Sequence, residues 1–220
     1  MEKSLSGLGS LTFSTLPCIS SVADVLNESP LMNHKGQILK NKHESKPNII
    51  WIMADDMGYG DLACQNPDSK IPTPNLDRLA TQGIRFTEAH SPSAVCTPTR
   101  YGVLTGRYCW RSRLKRGVLG PFDQALIEDE RLTVPALLKA HNYHTACIGK
   151  WHLGWNWKKA DGTLAQPRGK GEDFVYQIDF SQAISEGPTT RGFDYYFGTA
   201  VPNYPPYCYI ENDRTVGIPT

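Results

Sequence analysis

Asn48-Ile49-Ile50-Trp51-Ile52-Met53-Ala54 is an uninterrupted apolar run of strand length, entered through Pro47 and closed by Asp55-Asp56. A run without polar alternation suits a central parallel strand covered on both faces. The next segments keep that rhythm. Residues 73–83 open with Thr73 and Pro74 and stop at Gly83, which predicts a short helix with Leu76, Leu79 and Ala80 facing inward. Residues 84–90 alternate as a strand should. Strand, helix, strand, helix is the order of an α/β fold.

Where the first strand stops, Asp55 and Asp56 are followed by Gly58 and Gly60. Neighbouring side chains on a strand point to opposite faces, so two adjacent aspartates converge only where the backbone turns. Open α/β sheets place ligands at the carboxyl ends of their strands. Two carboxylates there suit a hard divalent cation such as calcium, although an Asp-Asp turn that merely ends a strand has the same spelling.

Residues 94–106, Ala-Val-Cys-Thr-Pro-Thr-Arg-Tyr-Gly-Val-Leu-Thr-Gly, read as a loop that becomes a helix with a thiol at its mouth. Pro98 suits a first helical turn and Gly106 a left-handed stop. Cys96 then sits at the positive end of the helix dipole, and Arg100, four residues on, lies over the same face. A nucleophile beside a guanidinium at a helix N-terminus suits anion chemistry. On spacing alone, a buried cysteine beside a surface arginine is an equal reading.

Further on, Thr133-Val134-Pro135 starts another helix, and residues 143–148 form the next strand, leading into Gly149-Lys150-Trp151-His152. If the strand geometry persists, Lys150 and His152 share a face and can stabilise an anion and handle a proton; taken alone, the stretch reads equally as a surface loop with an aromatic anchor. Residues 107–132 are rich in Arg, Gly and acidic residues and read as a substrate-side loop, with Arg111, Arg113, Lys115 and Arg116 as a basic cluster that reads first as a solvated loop and second as a means of steering an anionic substrate. Residues 156–173 read as a long polar loop, and nothing after Pro206 announces a further element.

Length and composition permit one sizeable core in 220 residues, with 40% hydrophobic and 20% charged side chains. A net charge of +1 without a Lys/Arg block argues against a general nucleic-acid binder, and no apolar run is long enough to span a bilayer. The six cysteines show neither Cys-x-x-Cys nor paired His/Cys spacing, which argues against zinc. Residues 1–46 differ from the rest. They read as a flexible lead-in with a weak signal-peptide pattern ending at Ser21-Val22-Ala23.

Three blocks in order carry a family resemblance. Lys46-Pro47-Asn48-Ile49-Ile50 with Asp55-Asp56-Met57-Gly58-Tyr59-Gly60-Asp61, then Cys96-Thr97-Pro98-Thr99-Arg100 with Leu104-Thr105-Gly106, then Gly149-Lys150-Trp151-His152 resemble the sulfatases. Arg191-Gly192-Phe193-Asp194-Tyr195-Tyr196-Phe197-Gly198 resembles a further, structural stretch of that family. Members usually carry serine or alanine where Thr99 stands.

The resemblance implies an alkaline-phosphatase-like α/β fold, a mostly parallel sheet with helices on both faces. Residues 47–220 would form the N-terminal part of a catalytic domain, since the later metal ligands and the second histidine and lysine have no counterpart before Thr220. It implies hydrolysis of sulfate esters through a formylglycine made from Cys96 by a maturation enzyme. Calcium would lie at Asp55, Asp56 and the group derived from Cys96, with Arg100, Lys150 and His152 completing the catalytic set. It also implies a periplasmic or secreted setting. Two alternatives stand beside this reading: a phosphate-ester hydrolase of the same superfamily, and an inactive binding remnant.

Overall fold

The computed structural model describes residues 46–165 and 177–218. The lead-in, its signal-like pattern, Cys18 and residues 166–173 of the long loop lie outside them. In chain order the regular elements are helix α1 (Pro74–Gln82), helix α2 (Cys96–Thr105), helix α3 (Val134–Ala140) and strands β1 (Ala146–Lys150), β2 (Tyr195–Thr199), β3 (Ile210–Glu211) and β4 (Arg214–Thr215). The fold is mixed α/β, with a four-stranded sheet in the order β1-β2-β3-β4. One pairing, β1 with β2, is parallel and the other two are antiparallel, so the sheet is mixed rather than mostly parallel.

Local chemistry accounts for these elements. Thr133 caps α3, its Oγ1 accepting from the Ala136 amide and donating to the Arg191 carbonyl at 2.6 Å. Gly106 ends α2 at φ 64°, as its missing Cβ allows. The β3–β4 hairpin turns on Asn212-Asp213, with Asn212 at φ 54°, the left-handed value a two-residue hairpin demands. Gly198 in β2 is obligatory for another reason. A Cβ there would lie 1.8 Å from the Gly149 carbonyl oxygen, so β1 and β2 approach too closely for any side chain.

The core lies between this sheet and the segments that follow α2 and β1. Trp151, Leu153, Trp155 and Trp157 are buried against Tyr101, Tyr196 and Ile210. Cys109, Leu119, Phe122, Leu126 and Ile127 join them, so residues 107–132 are a structural wall rather than a free loop. Within the basic cluster, Arg113 donates to the backbone carbonyls of Gln124 and Ala125 and Lys115 to that of Trp110.

Three expectations fail in the first third of the described chain. Residues 48–54 form no strand, and Ile50, Trp51 and Ile52 are 84%, 73% and 80% exposed. Residues 84–90 form no strand either, with Ile84 and Phe86 exposed. Helix α1 forms where expected, but Leu76 and Leu79 face solvent. In each case the sequence has the right local pattern, and among the described residues no neighbour pairs with or covers it. A strand exists only through its partner's hydrogen bonds.

Candidate active site

Helix α2 begins at Cys96, after Val95 in extended conformation (φ −132°, ψ 161°). Thr99 pins the preceding loop by donating its hydroxyl to the Ser93 carbonyl at 2.7 Å. The half-buried thiol therefore sits on the first helical turn, among amides that lack partners within the helix. Lys150, the last residue of β1, donates from Nζ to Cys96 Sγ at 3.1 Å. The same ammonium is 2.9 Å from Asp55 Oδ2, and Cys96 Sγ is 4.0 Å from Asp55 Oδ1.

Arg100 completes the cluster from one turn further along α2. Its Nη2 contacts Asp55 Oδ2 at 2.7 Å and its Nη1 donates to the Lys150 carbonyl at 2.6 Å. One guanidinium thus fixes both the turn after residue 54 and the end of β1. Cys96, Arg100, Lys150 and Asp55, up to 95 positions apart in the chain (150 − 55), share one direct network. Two cations surround one carboxylate and one thiol, an excess of positive charge at the place where an anionic group would bind.

The electrostatics follow from these contacts. The hydrogen bond from Lys150, with its charge and a lesser contribution from Arg100, holds the Asp55 carboxyl below its ordinary range against the opposing effect of burial. For Lys150, burial favours the neutral amine. The hydrogen bonds to Asp55 and Cys96 outweigh it and raise the pKa, so the ammonium is kept.

His152 departs from the strand extrapolation. β1 stops at Lys150, and His152 takes a left-handed backbone at φ 52°, so it does not continue the alternation. Its ring is buried, with Nε2 2.8 Å from the Leu119 carbonyl oxygen and Nδ1 without a hydrogen-bond partner among the described residues. Burial lowers its pKa, and the nearby Lys150 and Arg100 push it the same way. The wall that receives Nε2 went unread in the sequence, because nothing in Gly117-Val118-Leu119-Gly120 marks a backbone carbonyl as a partner.

Asp56 follows Asp55 with φ 58°, the turn that the adjacent glycines suggested. Both aspartates line a cavity of about 530 Å³ together with His90, Cys96 and Arg100. Among the described residues His90 pairs with Glu88, at 3.6 Å, and both side chains are exposed. For a cation, the donor set fits in kind: two aspartates line one cavity beside Cys96. It is short in number, since calcium takes six to eight oxygens and no group of three His, Cys, Asp or Glu is gathered among the described residues. Among them no helix is long and apolar enough to cross a membrane.

Known proteins resemble this chain in sequence and in fold. A sulfatase family model matches residues 47–215. The chain is 37% identical over 187 residues to an N-acetylgalactosamine-6-O-sulfatase of Bacteroides thetaiotaomicron, an alignment covering 84% of this chain and 33% of that protein. It is 48% identical over 108 residues to human arylsulfatase A, covering 49% of this chain and 21% of that protein.

Among solved structures, one from a study of glycosaminoglycan metabolism by Bacteroides thetaiotaomicron superposes with a TM-score of 0.66 at 38% identity, over 80% of this chain and 33% of the other. The crystal structure of Ps i-CgsB superposes with a TM-score of 0.57 at 26% identity, over 78% and 37%. The matches thus take in between 21% and 37% of the length of these relatives. The family match takes in nearly every described residue, and the chain belongs to the sulfatase family.

Proposed function

We propose that this chain carries the sulfate-binding half of a sulfuric ester hydrolase, with Cys96 converted to formylglycine. The observation that supports it most is the convergence of Cys96, Lys150, Arg100 and Asp55 at the mouth of α2. The aldehyde would supply, as its hydrate, one hydroxyl to attack sulfur and a second whose deprotonation lets sulfate depart. A thiol has no second hydroxyl, so the unconverted protein should stall after one transfer.

The chain's own groups divide the remaining work. Lys150 stays charged and lies within 3.1 Å of the position-96 side chain, so its Nζ is placed to bind a sulfate oxygen. Arg100 holds the Lys150 carbonyl and Asp55 in register and adds positive charge to the same spot. His152, kept neutral by burial, can take a proton that a cationic imidazole could not. Asp55 and Asp56 would hold part of a calcium sphere, the ion supplying Lewis-acid polarisation of the sulfate oxygens. Asp55 must then exchange some of its contact with Lys150 and Arg100 for the cation.

In this reading the four strands belong to a larger, mostly parallel sheet of alkaline-phosphatase-like architecture, a reading supported by the parallel β1–β2 pair. The names of the relatives suggest which esters to try, an aryl sulfate and N-acetylgalactosamine 6-sulfate. The test is sulfate release from both by protein co-expressed with a formylglycine-generating enzyme, with matched phosphate esters and a C96A variant as controls. Sulfate release that is lost in C96A supports the proposal. Faster phosphate release, or release unaffected by C96A, sinks it.

A further inference from the structure

Thr97, the second residue of the Cys-Thr-Pro-Thr-Arg run, has no role in the reading above, yet it is fully buried. Its Oγ1 donates to the His152 carbonyl at 2.9 Å and accepts from the Leu119 amide at 3.2 Å. The Leu119 carbonyl in turn meets His152 Nε2 at 2.8 Å. Three residues from three distant parts of the chain, exposed by 0%, 3% and 5%, close a ring of three hydrogen bonds.

Every direction in that ring is forced. A carbonyl oxygen only accepts, so the threonine hydroxyl must donate to His152 and use a lone pair for the Leu119 N–H. For the same reason His152 Nε2 must carry the proton that Leu119 receives. The neutral ring is then the Nε2–H tautomer, and Nδ1 is a bare lone pair. Nδ1 is the ring atom with no partner, in a side chain that is more than nine-tenths buried. The ring also holds His152 in a left-handed backbone that a non-glycine residue adopts only when its surroundings impose it.

We infer that Thr97 is a positioning residue which, through the Leu119 peptide, locks His152 as the Nε2–H tautomer with Nδ1 free to accept a proton. Thr97 and Cys96 are adjacent on the first turn of α2, so the residue that fixes the histidine is rigidly tied to the residue that would react. The groups facing His152 besides this ring are Lys150, Arg100 and Asp55, which act on it through their charges. The part of the inference that concerns proton transfer rests on the sulfatase reading. The tautomer does not.

The test uses the full chain and two readouts. Nitrogen-15 NMR of the histidine side chains, assigned with H152Q, reports which ring nitrogen bears the proton, whether or not the protein turns over. Wild type and T97S, which keeps the hydroxyl, should both show a proton on Nε2. T97V, which keeps the shape and loses both hydrogen bonds, should show a mixture of tautomers. In converted protein, T97V should lower kcat for sulfate release by roughly tenfold or more with KM little changed, and T97S should restore it.

A proton on Nδ1 in wild type would overturn the inference, as would a T97V protein with unchanged tautomer and kcat. If T97V does not fold, the wild-type spectrum alone still decides the tautomer. If no sulfate is released by any form while Nε2 carries the proton, the sulfatase reading has failed and the positioning role stands.

Discussion

The two ends of the described chain follow the same local rules with opposite results. Residues 46–90 contain an apolar run, a capped helix and an alternating segment, yet Ile50, Trp51, Ile52, Ile84 and Phe86 remain mostly exposed. Residues 91–218 have weaker local patterns, and they bury four consecutive core positions of the loop after β1, Trp151, Leu153, Trp155 and Trp157, to 2% or less. The difference teaches that apolar pattern specifies what an element needs, and tertiary neighbours decide whether it is met. The cluster of Asp55, Cys96, Arg100 and Lys150 straddles the two. Asp55 comes from the open part, while Cys96, Arg100 and Lys150 come from the packed part, and three direct contacts tie them.

The sharpest way to break this contrast is to truncate one tryptophan in each region. Trp155→Ala should cost about 3–5 kcal/mol of stability, because it empties a fully buried site. Trp51→Ala, at 73% exposure, should change stability by no more than about 0.5 kcal/mol. Urea unfolding of both variants measures the gap. Equal losses would mean that residues 48–54 are packed in solution and that the two regions do not differ.

The link between the regions is tested through Arg100. R100A removes the guanidinium that binds both Asp55 and the Lys150 carbonyl, and it should lower sulfate release by roughly 10²–10³-fold in converted protein. R100K keeps a charge but cannot bridge both partners, and it should recover little of the loss. Full activity in R100K would show that charge alone, not the bridge, is what the site uses.

A smaller effect follows from protonation. The His152 pKa is lowered from 6.5 in the folded protein, so as pH falls the unfolded chain binds the proton first. Stability from this group is therefore complete above about pH 6.5 and is lost as pH falls through the folded-state value. Asp55, lowered from 3.8, acts in the same direction in a more acidic window. H152Q should flatten the stability profile just below about pH 6.5 and leave the more acidic fall due to Asp55 intact. The smallest expected effect is Leu79→Ser on α1, within about 0.5 kcal/mol, since Leu79 is 64% exposed. Thermal denaturation resolves both.

Legibility from sequence depended on whether an element's ends are marked. Helix α2 with its Gly106 stop, α3 with its Thr133 cap, and β1 were each readable because a cap, a proline or a glycine marks their ends. The convergence of Cys96, Arg100 and Lys150 could be expected from the placement of a helix start and a strand end. The hairpin at Asn212-Asp213 is an element that the sequence did not announce, because its strands are two residues each and too short to show a period.

Other features had no local signature. Leu119 partners His152 through a backbone carbonyl, which any residue could supply. Arg191 is buried and pairs with Asp129 at 2.7 Å and Glu186 at 2.6 Å, a structural network that residue type alone would place on the surface. Lys150 and His152 looked equivalent by alternation. The left-handed turn at His152 separates them, giving Lys150 to the thiol and His152 to the wall.

The measurement that tests the central claim most directly is mass spectrometry of the tryptic peptide Phe86–Arg100, from protein made in a host that converts other sulfatases. The account predicts formylglycine at position 96, and with it calcium-dependent sulfate release. An unmodified thiol at position 96 in that host would contradict it.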